Sequence, residues 1–318
     1  MRVFVKPTVL ISKCIEYDHC RYNGEMISSD FVKKLTKYAE MVPICPETEI
    51  GLGIPRYPLR VVRTGDGLHL IQRKTEKDLT ETMVTFSRKF LGSIESLDGI
   101  ILKDRSPTCG LRNVGIFNSE LSKYPVRKRA GIFSTEVLKR FPYAAIGDEN
   151  QLNNFRFQDH FLMKLFTLSE FREIRGHESM KNIVQFHAEN KYLLTAYNKT
   201  EYSKLGKLIA NKEKQPFDVV MREYFQHLIR ALTRPPKSIS HVTILMHALG
   251  HFSPILQDRD RELFLTAIEN FKKGHTSVSE PRKMIKGWIK KFDEEYLGQQ
   301  TYFEPYPEEI IHDLGKYT

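Results

Sequence analysis

Apolar positions in the first half of the chain come in short runs, whereas in the second half they recur at helical spacing. Val3–Ser12 is rich in Val, Ile and Leu and predicts a strand that ends just before Cys14. Phe31, Val32, Leu35, Tyr38 and Ala39 predict a helix over 31–41, with Asp30 as its N-cap. Met41–Cys45 is a short apolar run stopped by Pro46. Leu59–Arg63 and Leu68–Arg73 flank the turn sequence Thr64-Gly65-Asp66-Gly67 and predict a hairpin. Thr80–Phe90 predicts a helix capped by Thr80. Gly99–Lys103 predicts a buried strand, Val137–Phe141 a short helix and 143–148 a last strand. Alternation of this kind argues for α/β architecture with a mostly parallel sheet.

From about 155 the helical period takes over, in Phe157, Phe161, Leu165 and Leu168, then Ile183, Phe186, Tyr192 and Leu193, then Val219, Tyr224, Leu228 and Leu232. Breakers at Gly176, Gln215-Pro216, Arg234-Pro235-Pro236 and Gly274 separate roughly six helices. The expected organisation is an N-terminal α/β domain over 1–152 followed by an all-α helical domain over 153–318. Gln299–Pro307 is aromatic and proline-rich and is expected to lie as an extended arm over the surface.

No apolar run approaches the ~18 residues that a membrane-spanning helix needs. Met1–Cys14 is a poor signal peptide, broken by Lys6 and Pro7, so a cytoplasmic protein is expected. The net charge is +10. Residues 160–290 carry 22 basic against 13 acidic side chains, and 291–318 reverse the sign with 2 against 7. A basic body suits a polyanionic partner, and nucleic acid is the commonest. Lys272, Lys273, Arg282 and Lys283 near helix ends are the candidate phosphate contacts, with Tyr192, Tyr197, Tyr202 and Trp288 interleaved for stacking. A solvated basic surface is the alternative.

The four cysteines, Cys14, Cys20, Cys45 and Cys109, all lie in the first third. In a reducing compartment they are not expected to form structural disulfides, which leaves a metal site or a reactive thiol. Their spacing lacks the close pairs of zinc ribbons. Cys14, Cys45 and Cys109 each fall past the end of a predicted strand, where open α/β sheets build their sites. Cys20 lies outside that pattern, in the polar loop 19–24. His247 and His251 are four apart, but His247-Ala248-Leu249-Gly250-His251 lacks the glutamate of a zincin helix. They are read with His187 and His241 as core or interface histidines.

Four ordered segments carry a resemblance: Ser12-Lys13-Cys14, Arg21-Tyr22-Asn23-Gly24, Cys45-Pro46-Glu47 with Gly51-Leu52-Gly53, and Lys103 through Gly110, which includes Ser106-Pro107-Thr108-Cys109. Over roughly residues 5–150 they resemble the S-x-C, R-Y-[DN]-G, C-P-E and K-x-x-S-P-x-C-G motifs of the thiouracil desulfurase (TudS) family. Where several relatives have Leu-Leu-Gly after the first cysteine, this chain has Ile15-Glu16-Tyr17, and it carries the extra Cys20. The helical half resembles YbgA-like domains through Phe186–Lys191 and His241–Phe252. The fused arrangement resembles RudS-type tRNA 4-thiouridine desulfidases.

The resemblance implies a 4Fe–4S cluster held by only Cys14, Cys45 and Cys109, with one iron open. Soft thiolates suit such a cluster, and an open iron suits thiocarbonyl sulfur. The expected reaction is non-redox conversion of 4-thiouridine in tRNA to uridine, the departing sulfur being taken by that iron. Glu47 is the expected proton carrier, with Glu49 a competitor on the same loop. Ser106 is expected to donate to substrate or to orient water. Arg21, Tyr22, Lys103 and Arg105 are candidates for the entrance, where charge suits a phosphate backbone. Two alternatives remain: a desulfurase of free thiouracil or thiouridine, and a zinc-stabilised RNA-binding protein that is no enzyme.

Overall fold

Residues 2–65, 67–119, 122–177 and 179–311 are described by a computed structural model of the chain. They divide into two compact units, one of residues 6–161, the other of residues up to 5 together with those from 162 onward. The turn residue Asp66 and the end of the acidic tail, 312–318, lie outside the described residues.

In the first unit, β1 (Thr8–Ser12), β2 (Glu40–Ile44), β6 (Gly99–Leu102) and β9 (Ala145–Asp148) form a four-stranded sheet in the order β2-β1-β6-β9. Every pairing in it is parallel. Val9, Leu10, Ile11, Ile100, Ile101 and Leu102 have no solvent exposure. Central strands covered on both faces need apolar side chains at every position, which explains the continuous runs. The predicted hairpin exists, as β3 (Leu59–Thr64) antiparallel to β4 (Gly67–Gln72). It belongs to a second sheet, β5-β4-β3-β7-β8, completed by β5 (Lys77–Asp78), β7 (Val114–Phe117) and β8 (Arg127–Arg129). Between the strands lie α1 (Asp30–Leu35), α2 (Pro46–Glu49), α3 (Thr80–Gly92) and α4 (Ile132–Arg140).

Several boundaries differ from expectation for identifiable reasons. The first strand starts at Thr8, because residues 2–5 belong to the other unit, where the Phe4 ring meets Phe166 edge-on at 5.6 Å. The helix expected over 31–41 stops at Leu35, since Glu40 and Met41 are paired with Thr8 and Val9 in the sheet. Strand pairing there overrides helical spacing. Ser29, not Asp30, is the N-cap, its hydroxyl accepting from the Val32 amide. Thr80 is the first helical residue and not the cap. Asp78 Oδ1 accepts from both its amide and its hydroxyl, and Thr80 Oγ1 accepts from the Leu70 amide.

The second unit holds α5 (Phe155–Arg175, which begins in the first unit), α6 (Met180–Glu189), α7 (Lys191–Ala210) and α8 (Phe217–Ala231). They are followed by α9 (Ser238–Phe252), α10 (Asp258–Lys272), α11 (Ser279–Phe292) and the short α12 (Glu295–Gly298). The breakers fall between helices as expected. The core is aromatic: Phe171 stacks on Tyr224 and Phe225 at centroid distances of 5.6 and 5.5 Å. Segment 299–307 is no surface arm. Thr301, Tyr302, Phe303 and Tyr306 are buried, Tyr302 completely. The motif around Asn190 holds that segment, with Asn190 Oδ1 accepting from Thr301 Oγ1 at 2.8 Å and the Ala188 carbonyl from Gln300 Nε2 at 3.0 Å. Large aromatic rings contribute too much apolar area to lie on a surface when a core is within reach.

Candidate active site

The ends of β1, β2 and β6 supply the chemistry of the first unit. Cys14 follows β1 by two residues and Cys45 follows β2 directly. Cys45 opens the single turn α2, with Pro46 at its first position and Glu47 next. Cys109 lies farther from its strand, in the loop between β6 and β7. That loop is fastened to the start of α4. The Gly131, Ile132 and Ser134 amides donate to the carbonyls of Gly110, Pro107 and Thr108 at 2.8, 3.2 and 3.1 Å. The approach is so close that a Cβ on Gly131 would stand 2.4 Å from the Thr108 oxygen. Only glycine fits there.

A cavity of about 440 Å³ is lined by all four cysteines together with Ser12, Glu47, Arg56, Asp104, Ser106 and the entrance candidates Arg21, Tyr22, Lys103 and Arg105. All four thiols are buried and unbridged. Cys20, left outside the site by its sequence position, is therefore brought into it. Its hydrogen bond with the Cys14 thiol, followed by burial, pushes the Cys20 thiol up to about 11. The Cys20 contact and burial push Cys45 above the ordinary thiol range. Burial and then the nearby Cys45 raise Cys109, against hydrogen bonds from Ser12 and Ser106 that favour its thiolate. Burial and mutual contact thus hold the Cys20, Cys45 and Cys109 thiols protonated. Metal binding releases such protons, exchanging them for metal–sulfur bonds. Among the described residues no trio of His, Cys, Asp or Glu is preset around a single ion.

Glu47 is buried between two partners. Its Oε2 is 2.7 Å from Arg56 Nε, and its Oε1 accepts from Thr108 Oγ1 at 2.8 Å. Glu49 is exposed and does not line the cavity. Ser106 Oγ accepts from the Thr108 and Cys109 amides at 3.2 and 3.0 Å, so it shapes the loop, leaving its one proton for the Cys109 sulfur or a ligand. Lys103 is committed to Glu149 at 2.5 Å. Arg105, with φ of 57°, keeps an exposed side chain 3.3 Å from Asp104. Arg21 pairs with Glu25. Asp104 Oδ1 is buried and has no hydrogen-bond partner among the described residues.

Arg56 and Thr108 were not legible as site residues. Arg56 is 4 % exposed at its side chain and joins three parts of the site. Besides Glu47 it donates from Nη1 to the Cys20 carbonyl at 2.9 Å and lies 3.9 Å from Cys45 Sγ through Nη2. Burial opposes its charge, but the Glu47 carboxylate more than offsets this and raises its pKa. The only signal was a lone arginine in the proline-flanked stretch after Gly53.

In the helical unit, Lys272, Lys273 and Lys283 are exposed, Lys272 being paired with Glu269 at 2.7 Å. Arg282 is corrected: it is 5 % exposed, its guanidinium 5.0 Å from the Tyr302 ring centroid, on the buried stripe of α11 with Ile285 and Trp288. It cannot reach a phosphate. Trp288 and Tyr192 are buried as well, so they offer no stacking surface. His187 and His241 are core residues whose Nδ1 atoms meet the hydroxyls of Tyr224 and Tyr302. Among the described residues no helix is long and apolar enough to cross a membrane.

Comparison with known proteins separates the same two regions. Residues 9–149 match the family described as 2-thiouracil desulfurase, and residues 191–307 match a family of unknown function, DUF1722. The chain is 31% identical over 153 residues to the uncharacterised protein YbbK of Bacillus subtilis, covering 46% of this chain and 98% of YbbK. It is 27% identical over 161 residues to the uncharacterised protein YbgA of Escherichia coli, covering 50% of this chain and 95% of YbgA. Among solved structures it is similar to a [4Fe–4S]-dependent thiouracil desulfidase, TudS, at 25% identity and a TM-score of 0.38, over 46% of this chain and 94% of that one.

Proposed function

Through residues 9–149 the chain belongs to the 2-thiouracil desulfurase family, and on that premise we propose that it converts 4-thiouridine in tRNA to uridine, using a 4Fe–4S cluster held by Cys14, Cys45 and Cys109. The observation that carries this reading is the convergence of the motif cysteines, distant in sequence, on one cavity with a buried carboxylate. The cavity volume falls within the range of small-molecule sites and suits a single pyrimidine nucleoside.

The donor set fits the cofactor, because soft, buried thiols are the ligands such clusters take. Bound there, a cluster with three protein ligands would supply a soft Lewis acid for thiocarbonyl sulfur. The chain's own residues do the rest. Arg56 and Thr108 fix both oxygens of Glu47, which leaves it oriented as a general base toward the cavity. Glu47 takes a proton from the attacking water, whose oxygen replaces sulfur at the ring carbon. The sulfur leaves as sulfide, and no electrons are transferred overall. Ser12 and Ser106 hold the Cys109 sulfur by hydrogen bonds. Four reduced buried thiols suit a cytoplasmic site of action.

The second reading, desulfuration of a free thiobase, fits the same cavity. The basic charge of the chain favours the polynucleotide. Protein purified without oxygen should contain iron and acid-labile sulfide and should show a higher kcat/KM for thiolated tRNA than for free thiouracil. A colourless protein refutes the cluster, and faster turnover of the free base refutes the tRNA substrate.

A further inference from the structure

Strand β3 joins two depressions of the α/β unit. Its first residue, Leu59, lines the thiol cavity, and its last two, Arg63 and Thr64, line a second groove of about 290 Å³. Four steps of ~3.3 Å place Arg63 about 13 Å along the strand from Leu59. The groove is lined by the apolar side chains of Leu68 and Ile116, with exposed Val126 at its margin, and by three arginines, Arg63, Arg127 and Arg129.

The register explains why the three converge. Val61, Ile116 and Arg127 stand in one row across β3, β7 and β8, and Arg129 is opposite Val114. Arg63 is two residues beyond Val61, and Arg129 two beyond Arg127, so all three arginines share one face. It is the face on which Val61, Val114 and Ile116 are buried, carried past the edge of the core. All three arginines are exposed, and among the described residues none has an acidic partner. Positive charge on an edge strand guards against unwanted pairing. That role accounts for β8, but it does not account for Arg63, which comes from an interior strand.

Three guanidinium groups with no acidic partner among the described residues, gathered beside apolar side chains, favour an anion. Guanidinium groups match phosphate oxygens in a planar fork. A free thiobase carries no phosphate, and a single nucleotide holds its own phosphate closer to its base than about 13 Å. We infer that the groove takes the phosphodiester backbone of RNA flanking the nucleotide in the thiol cavity, so that the α/β unit itself grips a polynucleotide. The inference rests on the desulfurase reading for the direction of the RNA, and it adds a grip outside the lysines of the helical unit.

The test uses the full, cluster-loaded chain. Binding of a short unmodified oligoribonucleotide is measured against salt, and kcat/KM is measured for thiolated tRNA and for free thiouracil. Arg63→Gln, Arg127→Gln and Arg129→Gln are made singly and together, with Lys128→Gln, on the other face of β8, as the charge-matched control. Each arginine removed should flatten the slope of log K against log salt by about 0.7, and the triple variant by about 2. The triple variant should lose about tenfold or more in kcat/KM for tRNA, with the loss confined to RNA. An unchanged slope in the triple variant overturns the inference. So does an equal effect of Lys128→Gln, or an equal fall for free thiouracil. Oligonucleotide binding needs no turnover, so a chain that turns over no thiopyrimidine refutes the desulfurase reading while the slope still decides the groove.

Discussion

Replacing Arg56 by Met should release the site from its scaffold. The guanidinium pairs with Glu47 at 2.7 Å, and the two side chains are only 4 % and 11 % exposed. Removing one partner of a buried ion pair leaves an uncompensated charge and typically costs about 3–5 kcal/mol. The Cys20 carbonyl also loses a 2.9 Å hydrogen bond, whose loss adds about 1 kcal/mol. Against the roughly 5–15 kcal/mol of an ordinary domain, a loss of about 5 kcal/mol is severe. At about 2–4 °C per kcal/mol for a unit of this size, the unfolding temperature of the α/β unit should fall by about 10–20 °C. Two signals separate the units. Visible absorbance of the proposed cluster would report the α/β unit, and fluorescence of Trp288, the sole tryptophan, reports the helical one. The double variant Arg56→Met with Glu47→Gln should recover most of the loss, because neither charge is then left alone. A fall of less than about 2 °C in the single variant refutes the ion pair as a structural element. A double variant as unstable as the single one refutes the charge argument.

Four other outcomes are expected. Cys14→Ser, Cys45→Ser and Cys109→Ser should each lose iron and sulfide, whereas Cys20→Ser should keep them; equal bleaching by Cys20→Ser defeats the three-ligand assignment. Glu47→Gln should keep the cluster's absorbance and lower kcat by about 10²–10⁴, and a loss of less than about tenfold would hand the proton to bulk water. Gly131→Ala should destabilise the α/β unit by about 2–3 kcal/mol, because its Cβ would meet the Thr108 and Pro107 carbonyl oxygens at 2.4 and 2.6 Å; chemical denaturation followed by absorbance checks this. Burial lowers His187 to about 4 from 6.5, so the unfolded chain binds more protons in between. Stability of the helical unit should therefore fall by about 3 kcal/mol as pH drops through that window, and His187→Phe should flatten the Trp288 transition there.

Part of this arrangement was legible because one-dimensional patterns carry it. The runs in β1 and β6 announce buried parallel strands, and a cysteine just past such a run is already at the mouth of a sheet. The second sheet was hidden because β7 and β8 have four and three residues, one run containing Gly115 and the other wholly basic. Pairings so short are decided by tertiary neighbours and not by local preference. Cys20 and Arg56 sit in irregular loops, where no period tells which way a side chain faces. Glu47 could be placed in the site from its neighbour Cys45, but its partner Thr108 comes 61 residues later. Arg282 misled because a long side chain with an apolar stem can occupy a buried stripe while counting as a surface charge.

The helical unit recruits residues 2–5 as well as the segment around Tyr302. Arg2 pairs with Glu170 at 2.8 Å and reaches the Glu304 carbonyl, the Val5 carbonyl accepts from Ser169, and Tyr302, about 300 residues later, fills the core. During synthesis the α/β unit has all of its residues as soon as 161 has left the ribosome. Its partner must wait until residues beyond 300 appear, holding its first strip of chain in reserve. The order of birth on the ribosome is therefore written into the connectivity: the thiol-bearing unit can mature while the helices are still being made, and a chain cut short before 299 keeps every residue of the thiol cavity while the helical unit stays unfinished.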